Sequence, residues 1–487
     1  MSDVQGLDNL SPVLLDELRA LEQQFEVTPA KLKQISQRFE EELKDGLAKD
    51  GANISMNVTW VLGFPTGDER GTFLTMDLGG TNLRVCWITL KGQDAETEVI
   101  QEKYLLPSEL KTGSADALWD FITNSLAEFI KSQHLGGTHE KPLPLGFTFS
   151  YPAIQEYIDH GKLQTWTKGF DIDGMEGEDV ASQLREAMDK RVQSSLIRWH
   201  WHLTDEKQDL PVKLVALIND TVGAMIASAY NDPETIVGAI FGTGCNAAYM
   251  DHVGSIGKLK TDLPPDTPMA INCEYGAFDN ARKVLPLTKY DEAIDCDSPR
   301  PGEQAFEKMS AGLYLGEIFR LVLCDLHERG LIFKGQDVSK LREPYLLDTG
   351  FLSSMEDDPF AATRSNFEET LNIQITWEEL QLSHRLAEVI AERGARLCTC
   401  GISAICRMKS ITSGHVAADG SVANKHPKFK ARWAQAMGEV LGWPEDRKED
   451  PIIITSAEDG SGVGAAVIAA MTLQRIEKGD TAGVRQR

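Results

Sequence analysis

An α/β architecture of two lobes is expected from three features of the chain. Short apolar runs alternate with helical stretches. A strand-glycine-strand hairpin occurs twice, as DLGGTNLR at Asp77 to Arg84 and FGTGCNAAY at Phe241 to Tyr249, so the chain reads as two related halves. At 487 residues it exceeds one ordinary hydrophobic core. The boundaries expected are a helical N-terminal segment at 1–66 packing on the large lobe, a small lobe at 67–218 and a large lobe at 219–450. A strand and helix at 451–487 are expected to return towards the small lobe.

In order along the chain, Leu14, Leu18, Leu21 and Phe25, then Leu32, Ile35, Phe39 and Leu43, recur at helical spacing, with Thr28-Pro29 as break and cap. Two amphipathic helices are predicted there. The runs FLTMD, LRVCWITL, PLGFTFSYP and KLVALI read as strands, with a helix over Ala117 to Ser132 among them. Helices dominate from Gln304, and PIIITSAEDGSGVGAAVIAAMT closes the chain as strand, turn and helix.

Composition narrows the function. The chain is 42% hydrophobic and 25% charged, as in a globular protein, and carries a formal charge of -25. A surface of that sign repels nucleic acid and anionic lipid, so neither is expected as a partner. Eight cysteines without a CxxC pair read as reduced core residues. No apolar run approaches a membrane span, the N-terminal stretch lacks a signal-peptide core, and a cytoplasmic location is expected.

Chemistry concentrates at the glycine turns and at Asn219-Asp220. Glycine accepts positive φ and lacks a Cβ, so backbone N-H groups in each turn are able to converge on a phosphate. Thr81 and Thr243 add hydroxyls, and Asp77 offers a carboxylate to a phosphate-bound Mg2+, directly or through water. Asp220 leaves the carboxyl end of the predicted strand KLVALI, where open α/β sheets bind ligands; it reads equally as the cap of the helix that follows. A Walker A motif and zinc spacings are absent.

Further segments complete a set: LGFTFSYPA at Leu145 to Ala153, LQTWTKGFDIDGMEGEDV at Leu163 to Val180, INCEYGAFDN at Ile271 to Asn280 and RPGEQAFEKM at Arg300 to Met309. With LDTGFLSS, HVAADGSVANKHP and EDGSGVGAA, they resemble, in this order, the hexokinase family of the actin-like ATPase superfamily, most closely its fungal glucokinase and hexokinase members. The match runs from about Phe64 to Ala470. The resemblance implies a two-lobed, ribonuclease H-like fold with a deep interdomain cleft. It implies transfer of a phosphoryl group from ATP, with Mg2+, to the 6-hydroxyl of glucose, the opening step of glycolysis. A sugar-sensing regulatory protein on the same fold is the alternative.

By matching position, the resemblance makes Ser150, Thr167, Lys168, Asn219, Asp220, Asn246, Asn272, Glu274, Gln304 and Glu307 the glucose contacts. Asp220 is then the general base and Lys168 a charge-balancing group. It assigns Asp77, Gly79, Gly80, Thr81, Asn82, Gly242, Thr243, Gly244, Thr349 and Ser353 to the phosphates, and Gly420, Ser421, Gly460 and Ser461 to the adenosine. Arg84 reads as an ion-pair residue rather than an ATP ligand. A hexose needs amides and carboxylates that donate and accept in pairs, and this set supplies them. Residues 192–209 read as an insertion or as translated intron. The choice between glucokinase and broader hexokinase specificity, and between monomer and homodimer, stays open.

Overall fold

The structure, a computed structural model, describes residues 10–92, 95–138, 140–167, 169–200, 210–357, 360–457 and 459–485. Lys168 and residues 201–209 of the expected insertion therefore lie outside the described residues, and the helix Val180–His200 leads into them.

Thirteen strands are described: β1 (Asn57–Leu62), β2 (Arg70–Leu78), β3 (Asn82–Lys91), β4 (Glu98–Leu105), β5 (Leu143–Phe149), a short pair β6 (Ala153–Ile154) and β7 (Lys162–Leu163), β8 (Val212–Ile218), β9 (Thr235–Phe241), β10 (Cys245–His252), β11 (Pro268–Asn272), β12 (Gly414–Asp419) and β13 (Ile452–Ser456). One sheet has the order β4-β3-β2-β5-β8 and the other β1-β11-β10-β9-β12-β13. In each, three antiparallel strands joined in sequence are followed by two parallel strands reached through helices. The two halves thus repeat one topology, with β1 added at the edge of the second sheet beside β11.

The N-terminal helices Pro12–Phe25 and Pro29–Ala48 break at Thr28, whose Oγ1 accepts a bond from the Lys31 amide at 3.3 Å. Leu32, Ile35, Phe39 and Leu43 join the core of the larger sheet, and Phe39 stacks on Phe278 at 3.7 Å. Leu14, Leu18, Leu21 and Phe25 pack on the helical part of the same lobe, with Phe319 and Leu386. The sequence reading did not name β1, β4, β11, β12 or the short pair β6 and β7. β4 is an edge strand whose residues are mostly exposed, and β1 is short and follows long helices; neither carries a strong alternating signal.

The feature that positions the site is a helix pair between the sheets. The helix Asp220–Ala229 follows β8 of the small sheet yet packs on β9, while Gly460–Glu477 follows β13 of the large sheet and packs on β2, β5 and β8. They cross backbone to backbone: a Cβ on Gly464 would lie 2.1 Å from the Gly223 carbonyl oxygen, and one on Gly223 would lie 3.0 Å from Ser461 Cα. Gly146 of β5 makes a similar approach to the Ala465 carbonyl, at 2.6 Å. No flexible side chain is present at these contacts to yield. Gly464→Ala is therefore expected to lower stability by about 1–3 kcal/mol or more, read as a reduced urea midpoint, whereas Gly136→Ala, at an exposed position with open space and no positive φ, should move it far less.

Candidate active site

A polar cavity opens where strands of both sheets end. Ser150, Thr167, Asn219, Asp220, Asn246, Glu274, Gln304 and Glu307 line it, with Pro152, Gly244, Cys245 and Gly276. Residues from 150 to 307 in sequence thus converge on one space. Asn219-Asp220 follow β8, Asn246 lies at the start of β10, and Glu274 follows β11.

The cap question is resolved at the end of β8. Asn219 is the N-cap, its Oδ1 accepting from the Thr221 amide at 3.0 Å and from Thr221 Oγ1 at 2.6 Å. Asp220 is the first helical residue, and its Oδ1 accepts from the Thr221 amide at 2.9 Å. The dipeptide divides the work: one residue ends the strand and starts the helix, and the other presents a carboxylate to the cavity at the helix's positive end.

Glu274 organises the opposite wall. Its Oε1 accepts from the amides of Asn272 at 2.8 Å, Asn246 at 3.3 Å and Asn219 at 3.5 Å, and its own backbone amide donates to Asn246 Oδ1 at 2.9 Å. Asn272 itself is buried behind the cavity rather than lining it. It donates to Glu274 and accepts Asn246 Nδ2 at 2.8 Å. Glu274 and Gln304 both adopt left-handed backbone, with φ of 55° and 54°. Such strain at two polar residues of one cavity is the pattern of a functional site.

Glycines here are required for space. A Cβ at Gly276 would lie 2.4 Å from Gln304 Oε1, and one at Gly244 would lie 2.6 Å from Glu307 Oε2. Glu307 Oε2 also accepts the Cys245 amide at 3.1 Å. Gly244, expected at the phosphates, lines the polar cavity and seats Glu307. Nor do Gly79, Gly242 and Gly244 use positive φ, as the turn argument anticipated. At Gly242 the demand is the approach of Gly420, whose Cα would be 3.2 Å from an added Cβ.

A second pocket adjoins the first. Asp77, Gly79, Thr81 and Asn82 from the β2-β3 turn face Gly420 and Ser421 after β12, and Gly80 lies in the same turn. Arg84, Lys103, Asp419, Asn424, Lys425 and Asp459 complete the lining. Of these, the ion-pair reading of Arg84 holds: it contacts Asp77 at 2.9 Å, Ser461 at 3.2 Å, and Asp459. Sequence reading missed the others. Asp419 was visible as the residue before Gly420 in HVAADGS, whereas Lys103 sits on the unrecognised β4, where register pairs it with Arg84.

Four expected phosphate contacts and two expected adenosine contacts sit elsewhere than on the pocket wall. Gly242 is buried and its carbonyl accepts the Gly312 amide at 2.7 Å; Thr243 is exposed beside it. Thr349 is buried with its hydroxyl donated to the Gly312 carbonyl, and the Ser353 hydroxyl donates to the Thr349 carbonyl at 3.0 Å. Gly460 packs on Ala224, and Ser461 is buried with its hydroxyl on Asp77 Oδ2 at 2.7 Å. Backbone bonds and packing engage Gly242, Thr349, Ser353, Gly460 and Ser461, while Thr243 stands exposed.

Three carboxylates and three cationic side chains line the second pocket. Asp77 Oδ2 accepts from Arg84 and Ser461, while its buried Oδ1 has no hydrogen-bond partner. Burial pushes the Asp419 carboxyl up, and the nearby charges of Asp220 and Asp459 add to this against the pull of Gly420 N-H and Arg84. Asp220 therefore lines one cavity and is felt electrostatically in the other. Cys245, by contrast, is held far above the ordinary thiol range by burial and by Glu307, which removes it as a nucleophile.

Known proteins resemble this chain over nearly its whole length. Two family models described as hexokinase match residues 17–230 and 236–471. Hexokinase of Emericella nidulans is 56% identical over 478 residues, covering 97% of this chain and 94% of that one. Hexokinase-1 of Saccharomyces cerevisiae is 49% identical, covering 97% and 95%. Among solved structures, hexokinase from Schistosoma mansoni complexed with glucose superimposes with a TM-score of 0.83 at 33% identity, covering 94% of this chain and 99% of that one. With matches spanning both lobes and nearly the whole length, the chain belongs to the hexokinase family.

Proposed function

We propose that this enzyme moves the γ-phosphoryl group of ATP to the 6-hydroxyl of glucose, with glucose in the cavity around Glu274 and ATP in the pocket between the β2-β3 turn and Gly420. The observation that carries the reading is the place of Asp220, on the wall of the first cavity and within electrostatic reach of Asp419 in the second. A hydroxyl held there faces the triphosphate.

Each step follows from the residues present. Glu274, Glu307, Asn246 and Gln304 offer acceptors and donors to neighbouring sugar hydroxyls, and Asn219 aligns Glu274 from the side. Asp220 accepts the proton of the attacking hydroxyl, a role worth about 10²- to 10⁴-fold. Lys168, assigned by motif, balances charge on the group in transit. Asp77 with its unpartnered Oδ1, beside Asp419, suits a hydrated divalent cation. Mg2+ held there through water would neutralise charge on the β- and γ-phosphates. A purely sugar-sensing role is not favoured, because both pockets and the carboxylate between them are in place.

Two outcomes are expected. Asp220→Ala should lower kcat by about 10²- to 10⁴-fold while glucose binding, followed by tryptophan fluorescence, weakens by no more than about 1–3 kcal/mol. Equal loss of both would contradict a base at that position. In a coupled assay the wild type should turn over glucose with ATP, and chelation of divalent cations should stop turnover without releasing glucose; the same assay with mannose and fructose ranks the sugars. ATP hydrolysis indifferent to any sugar would overturn the assignment.

A further inference from the structure

The two loops flanking the sugar cavity are tied to each other across its mouth. On the small-lobe side, Glu176 closes the loop that carries Thr167. Its Oε1 accepts the Trp166 amide at 2.7 Å and the Thr165 hydroxyl at 3.3 Å. On the large-lobe side, Arg300 opens the loop that carries Gln304. Its carbonyl accepts Lys308 Nζ at 2.9 Å, and Lys308, nearly fully buried, also binds Asp295 at 2.7 Å and Ser298 at 2.8 Å. Each loop is thus held rigidly within its own lobe.

Between them runs one ion pair: Arg300 Nη2 lies 2.6 Å from Glu176 Oε1. The same guanidinium has a second carboxylate at hand, Glu303 of its own loop, 3.9 Å from Nη1. Partial burial works against the charge on Glu176, but the Trp166 amide and Arg300 outweigh it and keep the carboxyl below its usual range.

We propose that Glu176 and Arg300 form a positioning latch for sugar binding, in which Arg300 exchanges a partner within its own loop, Glu303, for one across the cleft, Glu176, as the lobes close. Neither residue lines the cavity. The pair acts through Thr167 on one side and Gln304 on the other, drawing both onto the sugar. Both side chains keep more than a third of their surface in water, so the latch is weak and sensitive to salt. A closing contact of this kind sets affinity for the sugar without holding the cleft shut after turnover.

The inference rests on glucose being the ligand of this cavity, and steady-state kinetics on the full chain separate the two claims. Glu176→Gln keeps an acceptor for the Trp166 amide and removes only the charge. It should raise the KM for glucose about two- to five-fold at low salt, leave kcat and the KM for ATP within about two-fold, and abolish the salt dependence of the glucose KM that the wild type shows between about 20 and 300 mM. Glu303→Gln, which removes the competing partner, should lower the glucose KM or leave it unchanged. Arg300→Gln should raise the glucose KM as Glu176→Gln does, and the double variant should be no worse than either single, because each removes the same pair; additive losses would instead mark separate structural damage. The latch is overturned if Glu176→Gln matches the wild type in glucose KM and salt response, or if Glu303→Gln raises that KM as Glu176→Gln does. Absence of wild-type turnover on glucose would instead overturn the functional reading; the latch would then be read from scattering, as a larger radius of gyration in Glu176→Gln.

Discussion

The crossing of two helix backbones at Gly223 and Gly464 is the constraint on which the site depends. Each helix begins at the end of the last strand of its own sheet, at that sheet's edge, and then packs on the other sheet. The first turn of one carries Asp220; the first turn of the other carries Ser461, which holds Asp77. Because the two helices touch without side chains between them, the distance between the sugar carboxylate and the phosphate turn is set by backbone contact. A packed backbone interface deforms little, so the two pockets keep a common geometry while loops at the cleft mouth remain free to adapt.

Around this fixed centre the polar groups are arranged to hold one another before any ligand arrives. Glu274 is held by three asparagine amides and by its own left-handed backbone, and Glu307 rests on a glycine and a backbone amide. Pre-organisation of this kind reduces the ordering needed when a sugar enters. The second pocket follows another logic. Its three carboxylates, Asp77, Asp419 and Asp459, are matched by Arg84, Lys103 and Lys425, and burial does most to raise Asp419.

Much of this was legible in the residues. The doubled strand-glycine-strand pattern corresponds to a doubled sheet topology, and the apolar spacing of the first helices matches their buried faces. Strongly apolar strands such as β5 and β8 announce themselves, because both faces are covered. β4 does not, since an exposed edge strand needs only one apolar contact in several residues, and with it Lys103 was lost from view. The residues that line the polar cavity were named through their match to the family's motifs, with hydroxyl chemistry supporting the set, and most of them converge on one space. The residues assigned to the nucleotide are more dispersed: glycines and hydroxyls serve helix packing as readily as phosphate binding, and Thr349, Ser353, Gly460 and Ser461 make packing or hydrogen-bond contacts within the protein.

The sequence by itself determined the family and the two-lobed α/β plan, and it set Asp220 at the end of an apolar strand, since these rest on local pattern and on which functional groups are present. The choice of Asn219 as helix cap is also local, made within two residues. Tertiary structure decided which groups meet: Asn219 and Asn246 reach Glu274, Gly244 seats Glu307, and Glu176 meets Arg300 across the mouth. Those contacts join residues from 28 to over a hundred positions apart, which come together only when the two sheets and their crossed helices pack.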